Sequence, residues 1–220
     1  MTPSLLRARA AVALLAVLAL SGCIPLNEPS TAASPGASVG ASTNPTLART
    51  QLDELTIGTP RSMAGYSRER FPHWTEHENG CSTRELVLQR DGTGVTTGAR
   101  CKITGGRWVS PYDTKATSDP DALDVDHMVP LANAWRSGAN SWTDDQRSQF
   151  ANDLTRPELL AVTASVNRAK GDQDPSQWKP PNRAYWCQYA QSWILVKRSW
   201  NLTATLAEKA ALTDMLGTCT

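Results

Sequence analysis

Four cysteines beyond residue 80 constrain the possible fold more than any other feature of this chain: Cys81, Cys101, Cys187 and Cys219. An even number of cysteines in an oxidising compartment predicts two disulfides. Pairing by proximity in sequence gives Cys81–Cys101 and Cys187–Cys219. Residues 182–200 and 204–216 both have helical patterns, and an antiparallel pair of helices would bring Cys187 close to Cys219. A zinc site is the alternative, and it ranks lower because no two of the four form a Cys-x-x-Cys pair.

The N-terminus predicts export to such a compartment. Arg7 and Arg9 precede an apolar run, residues 10–20, that is too short to span a bilayer comfortably. The run ends in Leu-Ser-Gly-Cys23, which resembles a bacterial lipobox, so residues 1–22 are predicted to be a lipoprotein signal peptide and Cys23 the lipidated residue. The alternative is a plain secretory signal that leaves Cys23 as an unused thiol. We expect an extracytoplasmic protein, lipid-anchored through Cys23 to the outer face of the cell membrane or secreted.

The segment after Cys23 has the composition of a tether. Residues 25–45 consist mainly of Ser, Thr, Ala, Gly and Pro, with almost no large apolar side chain that could enter a core. We therefore predict a flexible linker over residues 23–50 and one folded domain over residues 51–220.

Net charge neither identifies nor excludes a nucleic-acid partner. The formal charge of +1 becomes −1 when Arg7 and Arg9 leave with the predicted signal, whereas nucleic-acid binders are usually basic. The distribution is more informative, because between Arg156 and Arg198 seven basic residues stand against three acidic ones. A local basic face is predicted there.

The middle of the domain predicts a strand, a long connection, a second strand and a short helix. Residues 122–127 alternate apolar and acidic side chains, which is the period of a half-buried strand and puts Asp124 and Asp126 on the same face. Residues 159–162 form a second short apolar run, and a brief helix carrying Asn167 and Lys170 can end at Gly171. With a small β-element around residues 101–109 and two longer C-terminal helices, the fold class is α+β.

The same stretch carries residues suited to metal-assisted hydrolysis. Asp126 and Asn167 offer oxygen ligands of the kind that Mg²⁺ prefers. Lys170 lies one helical turn after Asn167 and could meet a phosphate, while a neutral His127 could take a proton from water near pH 7. Each residue also has a structural explanation: a surface hydrogen bond for the Asp–His pair, a cap for Asn167, and a favourable dipole interaction for Lys170.

The order and spacing of these segments resemble a known family. DVDHMVP (residues 124–130) and NRAKGD (residues 167–172) resemble the HNH, or ββα-metal (His-Me finger), endonucleases, including the HNH domain of CRISPR effector nucleases. Further segments resemble an exported bacterial branch related to the C-terminal nuclease domain of GmrSD-type modification-dependent restriction enzymes: Cys81-x-x-Arg84, Gly106-x-Trp108, Pro111-Tyr112 and the terminal Cys219. The resemblance covers roughly residues 60–219.

The resemblance implies a role for each residue of the site. His127 would be the general base, and Asp126 and Asn167 would bind Mg²⁺ or Mn²⁺, with Asp124 supporting these ligands. Asn152, the middle Asn of the family pattern, would brace a loop and orient His127, and Lys170 would lie near the scissile phosphate. Asn167 replaces the final His of the HNH name, which makes zinc a less suitable ion than Mg²⁺.

The sequence therefore predicts a monomeric, metal-dependent endonuclease that hydrolyses the phosphodiester bonds of DNA, or of RNA, with low sequence specificity. The alternative is a non-catalytic envelope lipoprotein that binds nucleic acid or the cell wall. His73 and His77 are spaced four residues apart but lack a third ligand at a recognisable spacing, so we predict packing or surface roles for them. Most of the eight tryptophans recur in amphipathic helices or beside turns, where large rings pack, so we assign no function to them.

Overall fold

The computed structural model describes residues 44–77 and 80–219. The predicted signal peptide, Cys23 and most of the predicted linker lie outside the described residues. In chain order, the elements are α1 (Pro45–Glu54), α2 (Thr83–Asp91), β1 (Thr93–Thr97), β2 (Ile103–Val109), β3 (Ala116–Thr117), β4 (Leu123–His127), α3 (Leu131–Arg136), α4 (Asp144–Ala151), β5 (Leu159–Thr163), α5 (Ala164–Lys170), α6 (Trp186–Ser199) and α7 (Leu206–Leu216). Within the described ranges, none of the helices combines the length and the apolar character needed to cross a bilayer.

Helix α1 begins inside the segment that the sequence assigns to the linker. Asn44 caps it by accepting the backbone N–H of Leu47 at 3.0 Å, and Pro45 occupies the first helical position. Ala48 and Leu52 are buried in the main core, which they share with α6 and α7. Within the described part of the chain, regular structure therefore starts at residue 45 rather than at residue 51. Ala48 and Leu52 are the two residues of this helix that are buried, too few to give the segment a detectable apolar period.

Strands β4 and β5 form an antiparallel pair, and α5 follows β5 directly. The register runs from Leu123 opposite Thr163 to His127 opposite Leu159. Gly171 ends α5 with a φ of 56° and donates its N–H to the carbonyl of Asn167 at 3.0 Å. The predicted order of strand, long connection, strand and helix is confirmed.

The connection between β4 and β5 carries α3 and α4. Thr143 and Gln146 form a capping box at the start of α4, as their spacing predicts. On one side of the β4–β5 pair, a small apolar cluster joins Leu123 and Val125 to α2 and β2. This packing fixes the position of β4 and therefore of its last two residues, Asp126 and His127.

Two disulfides cross-link the domain. Cys81 pairs with Cys101, and Cys187 pairs with Cys219, each with 5.0 Å between the Cα atoms. The second bond joins the start of α6 to the segment after α7, as expected for antiparallel helices. Both predicted pairings are confirmed, and so is the α+β class with two disulfides.

Candidate active site

A cavity of about 340 Å³ opens where β4 ends and α5 begins to run beside it. Asp126 and His127 reach it from β4, and Asn167 and Arg168 reach it from α5. Arg68, from a short 3-10 turn at residues 68–70, lines the cavity as well. The β4–β5 pairing thus brings together three of the predicted site residues that lie some forty positions apart in sequence.

His127 is buried and held in one orientation. Its Nε2 lies 3.0 Å from the carbonyl oxygen of Ala151, and because a carbonyl can only accept, Nε2 carries the hydrogen. Nδ1 is then the nitrogen with the free lone pair. Burial lowers the pKa of His127 to about 3, so the ring is neutral at neutral pH.

An aromatic ring that the sequence analysis assigned to packing covers this histidine. The indole of Trp74 stacks on the His127 ring with centroids 5.4 Å apart and planes 25° apart, and the His73 ring lies 6.3 Å away. Trp74 has a φ of 60°, a left-handed conformation that is costly for a bulky residue and persists only where its surroundings enforce it. No local pattern around Trp74 indicates this conformation, so sequence reasoning had no means to find its role.

Asn152 is one of the residues that enforce the left-handed conformation of Trp74. Its Oδ1 accepts the backbone N–H of Thr75 at 3.0 Å, and its Nδ2 donates to the carbonyl of Pro72 at 2.9 Å, so it binds the loop on both sides of Trp74. Asn152 also directly follows Ala151, whose carbonyl accepts the hydrogen bond from His127. The contacts of Asn152 fit the bracing role that the resemblance implies. Asn152 can affect the orientation of His127 only through Ala151 and the loop that carries Trp74.

The carboxylate of Asp126 accepts hydrogen bonds from two side chains. Lys170 Nζ lies 2.8 and 2.7 Å from its two carboxylate oxygens, and the hydroxyl of Tyr112 donates to Oδ2 at 2.6 Å. Burial raises the pKa of the Asp126 carboxyl group, and the neighbouring ammonium opposes that rise. Burial and the nearby carboxylate hold the pKa of Tyr112 well above its usual value, so Tyr112 remains a donor.

Lys170 does not stand where the resemblance placed it. Its side chain is fully buried, and its third contact is the carbonyl of His127 at 2.7 Å. An ammonium group has three donors, and all three are used here. The expected contact with a phosphate is therefore corrected: in this structure, Lys170 is the counter-ion of Asp126. The position of Lys170 on α5 predicted that it lies near the site. It did not predict that the lysine side chain points inward to Asp126 on β4.

Asn167 contacts the other aspartate of the strand. Its Nδ2 donates to Asp124 Oδ2 at 3.1 Å, which leaves its carbonyl oxygen Oδ1 without a donor among the described residues. Asp126 and Asn167 line the same cavity but make no direct hydrogen bond with each other in the described part of the chain. The supporting contact expected of Asp124 fits this arrangement.

The oxygen atoms around the cavity fit a hard divalent cation. Among residues 44–77 and 80–219, Asn167 Oδ1 has no donor and Asp126 Oδ1 accepts only from Lys170, so each retains a lone pair. Mg²⁺ is commonly held by one or two protein oxygens together with water and phosphate. Such an ion would share the Asp126 carboxylate with the ammonium of Lys170.

The two histidines outside the motif are accounted for separately. His73 Nδ1 donates to the carbonyl of Phe71 at 2.7 Å, and His77 Nε2 lies 3.0 Å from the hydroxyl of Thr83. Over residues 44–77 and 80–219, no group of three or more His, Cys, Asp or Glu side chains is arranged to hold a metal ion. His73 is nevertheless part of the wall around His127, which its spacing to His77 did not indicate.

Comparison with known proteins places the central motifs in one family. The family model described as "GmrSD restriction endonucleases, C-terminal domain" matches residues 86–215, a range that contains every predicted site residue from Asp124 to Lys170. An uncharacterized secreted protein of the fungus Arthroderma benhamiae is 52% identical over 172 residues, which cover 78% of this chain and 84% of the relative. No solved structure matches. Because this relative is fungal, the bacterial branch inferred from the sequence stays a prediction.

Proposed function

Because this chain belongs to the family defined by the C-terminal domain of GmrSD restriction endonucleases, we propose that it is a metal-dependent endonuclease that hydrolyses phosphodiester bonds. One observation carries the proposal: Asp126, His127 and Asn167 line a single cavity. We assign β4, β5 and α5 to a ββα-metal core, because an acid–histidine pair at a strand end faces a carboxamide on the following helix. The substrate is DNA or RNA, cleaved with low sequence specificity by a monomer.

His127 acts as the general base in this proposal. With Nε2 bound to the Ala151 carbonyl, Nδ1 is left to accept a proton from the attacking water. A positioned base of this kind contributes about 10²–10⁴-fold to the rate. A pKa of about 3 is low for a base, and an anionic phosphate in the cavity would raise it by favouring the protonated ring.

The remaining residues hold and support the metal site. Asp126 and Asn167 would bind Mg²⁺ or Mn²⁺, and Asp124 would orient Asn167 through the hydrogen bond to its Nδ2. A cation bound there would stabilise the negative charge that develops on the phosphoryl group. Tyr112 keeps the buried carboxylate of Asp126 hydrogen-bonded, and Asn152 braces the loop that covers His127.

We further propose that the enzyme works outside the cell. Disulfides form and persist in oxidising compartments, and the domain has two of them. The fungal relative is named as a secreted protein, which supports the same location. Residues 1–22 as a signal peptide and Cys23 as a lipid anchor remain part of this proposal, and the linker that the sequence predicts over residues 23–50 ends before α1, which belongs to the nuclease domain.

One observation favours a second candidate, a non-catalytic envelope protein that binds nucleic acid. Lys170 places a fixed positive charge on the carboxylate that would otherwise bind the metal. A protein that has exchanged its metal for a lysine would retain the shape of the site and bind a polyanion without hydrolysing it. This candidate predicts binding that does not respond to metal and is insensitive to a base-removing substitution at His127.

A plasmid-nicking assay separates the two candidates. The full chain is incubated with plasmid in Mg²⁺, in Mn²⁺ and with a chelator, beside His127→Gln, whose side-chain amide reaches as far as the histidine Nε2 and can still donate to the Ala151 carbonyl but supplies no base. We expect metal-dependent nicking by the wild type and a loss of about 10²–10⁴-fold in the variant. Near-ultraviolet circular dichroism confirms that the variant is folded. Equal nicking by both proteins would remove His127 as the base, and no nicking in any metal would favour the binding protein.

A further inference from the structure

The cavity that holds His127 is lined by two arginines whose charges are not paired with the aspartates of the same cavity. Its lining includes two arginines, Arg68 and Arg168, and two aspartates, Asp126 and Asp172. Asp126 is already paired with the buried Lys170. Asp172 is paired with Arg136, whose Nη1 lies 2.5 Å from its carboxylate. Both carboxylates are therefore neutralised from within the protein, and the two arginine charges remain.

Neither arginine has an acidic partner of its own. Among the described residues, no carboxylate lies within ion-pair distance of Arg68 or Arg168, although eleven other arginine or lysine side chains form such pairs in that part of the chain. Both side chains are exposed. They stand on separate elements, the 3-10 turn at residues 68–70 and α5, and meet at one cavity.

Each guanidinium group is held by the same atom, its Nε. Arg68 Nε donates to Nε2 of His73 at 3.3 Å, and Arg168 Nε donates to the carbonyl of Ala164 at 3.0 Å. His73 can accept because its Nδ1 carries the hydrogen that is donated to Phe71. These bonds limit the motion of the guanidinium groups, and no residue in the described part of the chain accepts a hydrogen bond from the terminal amino groups of either arginine. Paired terminal N–H groups match two oxygens of one phosphate.

We propose that Arg68 and Arg168 form an anion clamp that binds the phosphodiester backbone on both sides of the cavity. The choice of ligand rests on the proposed function, whereas the clamp itself requires no catalysis. It takes the phosphate-binding role that the sequence analysis gave to Lys170. It also revises the predicted basic face, because two of the basic residues between Arg156 and Arg198, Lys170 and Lys197, are buried in ion pairs and present no charge to a ligand.

Salt-dependent binding tests the clamp without turnover. The full chain carrying His127→Ala is titrated against a fluorescently labelled single-stranded oligonucleotide by anisotropy, at several salt concentrations, with a chelator present. Arg68→Gln and Arg168→Gln are introduced singly and together. Each lost phosphate contact should reduce the slope of log K against log salt by about 0.7. Arg107→Gln on β2 removes the same charge from an exposed position outside the cavity and is the matched control.

We expect the double variant to lose roughly twice the slope of either single variant, while Arg107→Gln keeps the slope of the parent. Arg68→Lys should retain most of the slope but bind more weakly, because a lysine supplies charge without the paired donors. A double variant that behaves like Arg107→Gln, or a parent that binds no oligonucleotide, would overturn the clamp.

If the clamp variants behave as expected but the wild type nicks no plasmid in any metal, the clamp stands and the nuclease proposal fails. If the wild type nicks and the clamp variants bind normally, only the clamp fails.

Discussion

Lys170 and Asp126 form an ion pair that is closed to solvent, with Nζ 2.7 Å from Oδ2 and side chains that are 0% and 5% exposed. Removing one partner of a buried pair leaves an uncompensated charge, which is more costly than replacing both partners. In the proposed enzyme, the same carboxylate also binds the metal. Lys170 and a divalent cation therefore compete for, or share, the negative charge of Asp126.

Substituting Lys170 should make the stability of the protein depend on metal. Lys170→Met leaves Asp126 buried without its ammonium and should lower the free energy of unfolding by about 3–5 kcal/mol. Millimolar Mg²⁺ should restore part of this loss, because a ligand that binds only the folded state stabilises it. Urea unfolding with Mg²⁺ and with a chelator measures both effects.

Lys197→Met is the matched control for that measurement. Lys197 forms an equally buried pair with Glu208, whose carboxylate lies 2.8 Å away and does not line the cavity. We expect a comparable loss of stability that Mg²⁺ does not restore. If Mg²⁺ restores neither variant, or restores both equally, Asp126 is not the metal-binding carboxylate.

Trp74 is expected to act as a positioning residue for His127. Its ring shields the imidazole from water and limits its rotation, so Trp74→Ala should lower kcat on the order of 10–100-fold through misplacement of the base. KM should change less, because Trp74 is not part of the arginine clamp. Trp74→Phe keeps an aromatic ring over His127 and should recover most of kcat. Steady-state kinetics on a short oligonucleotide distinguishes the two parameters, and an unchanged kcat in the alanine variant would show that the stack is only structural.

Asn152 should contribute to stability and to activity through the same hydrogen bonds. Asn152→Ala removes the acceptor for Thr75 and the donor to Pro72, and because both hydrogen bonds are exposed to solvent, the loss of each should cost about 0.5–1.5 kcal/mol. Asn152→Asp keeps the acceptor but not the donor and should fall between alanine and the wild type in thermal unfolding. The order of kcat for the three proteins should follow their order of stability. A fully active and destabilised Asn152→Ala protein would separate the loop from catalysis.

Asn167 and Asp124 should both govern the metal requirement, to different degrees. Asn167→Ala removes the proposed ligand and should abolish activity at ordinary Mg²⁺ concentrations. Asp124→Asn removes the charged acceptor that orients Asn167 and should raise the half-saturating Mg²⁺ concentration by about 10–100-fold, as is typical for residues that support a ligand. Nicking rates measured over a range of Mg²⁺ concentrations test this order. An unchanged requirement in Asn167→Ala would exclude residue 167 from the metal site.

Several features of the site follow from local sequence rules. The alternation in residues 123–127 predicts the strand, and with it the common face of Asp124 and Asp126. Gly171 predicts the end of α5, because few other residues adopt its positive φ. The two disulfides follow from spacing and helix geometry. These inferences succeed because each depends on residues close together in the chain.

The direction of individual side chains required the tertiary structure. Lys170 and Arg168 belong to the same short helix, yet one is sealed against Asp126 and the other is exposed at the cavity. Trp74 and Arg68 lie more than fifty residues before His127 in the chain. The hydrogen bonds of Asn152 hold the loop that brings Trp74 onto His127, and Arg68 lines the same cavity. Such contacts depend on which elements pack together, which no local period encodes.

The amino-acid sequence by itself determined the order of β4, β5 and α5, the two C-terminal helices and the cysteine pairing, since these depend on short-range periodicity and spacing. Only the tertiary structure decided which cation neutralises Asp126 and which arginines remain free to meet a phosphate. The physical reason is that burial and pairing of charges are set by long-range packing, and a lysine changes from a ligand-binding group to a counter-ion when a neighbouring strand covers it.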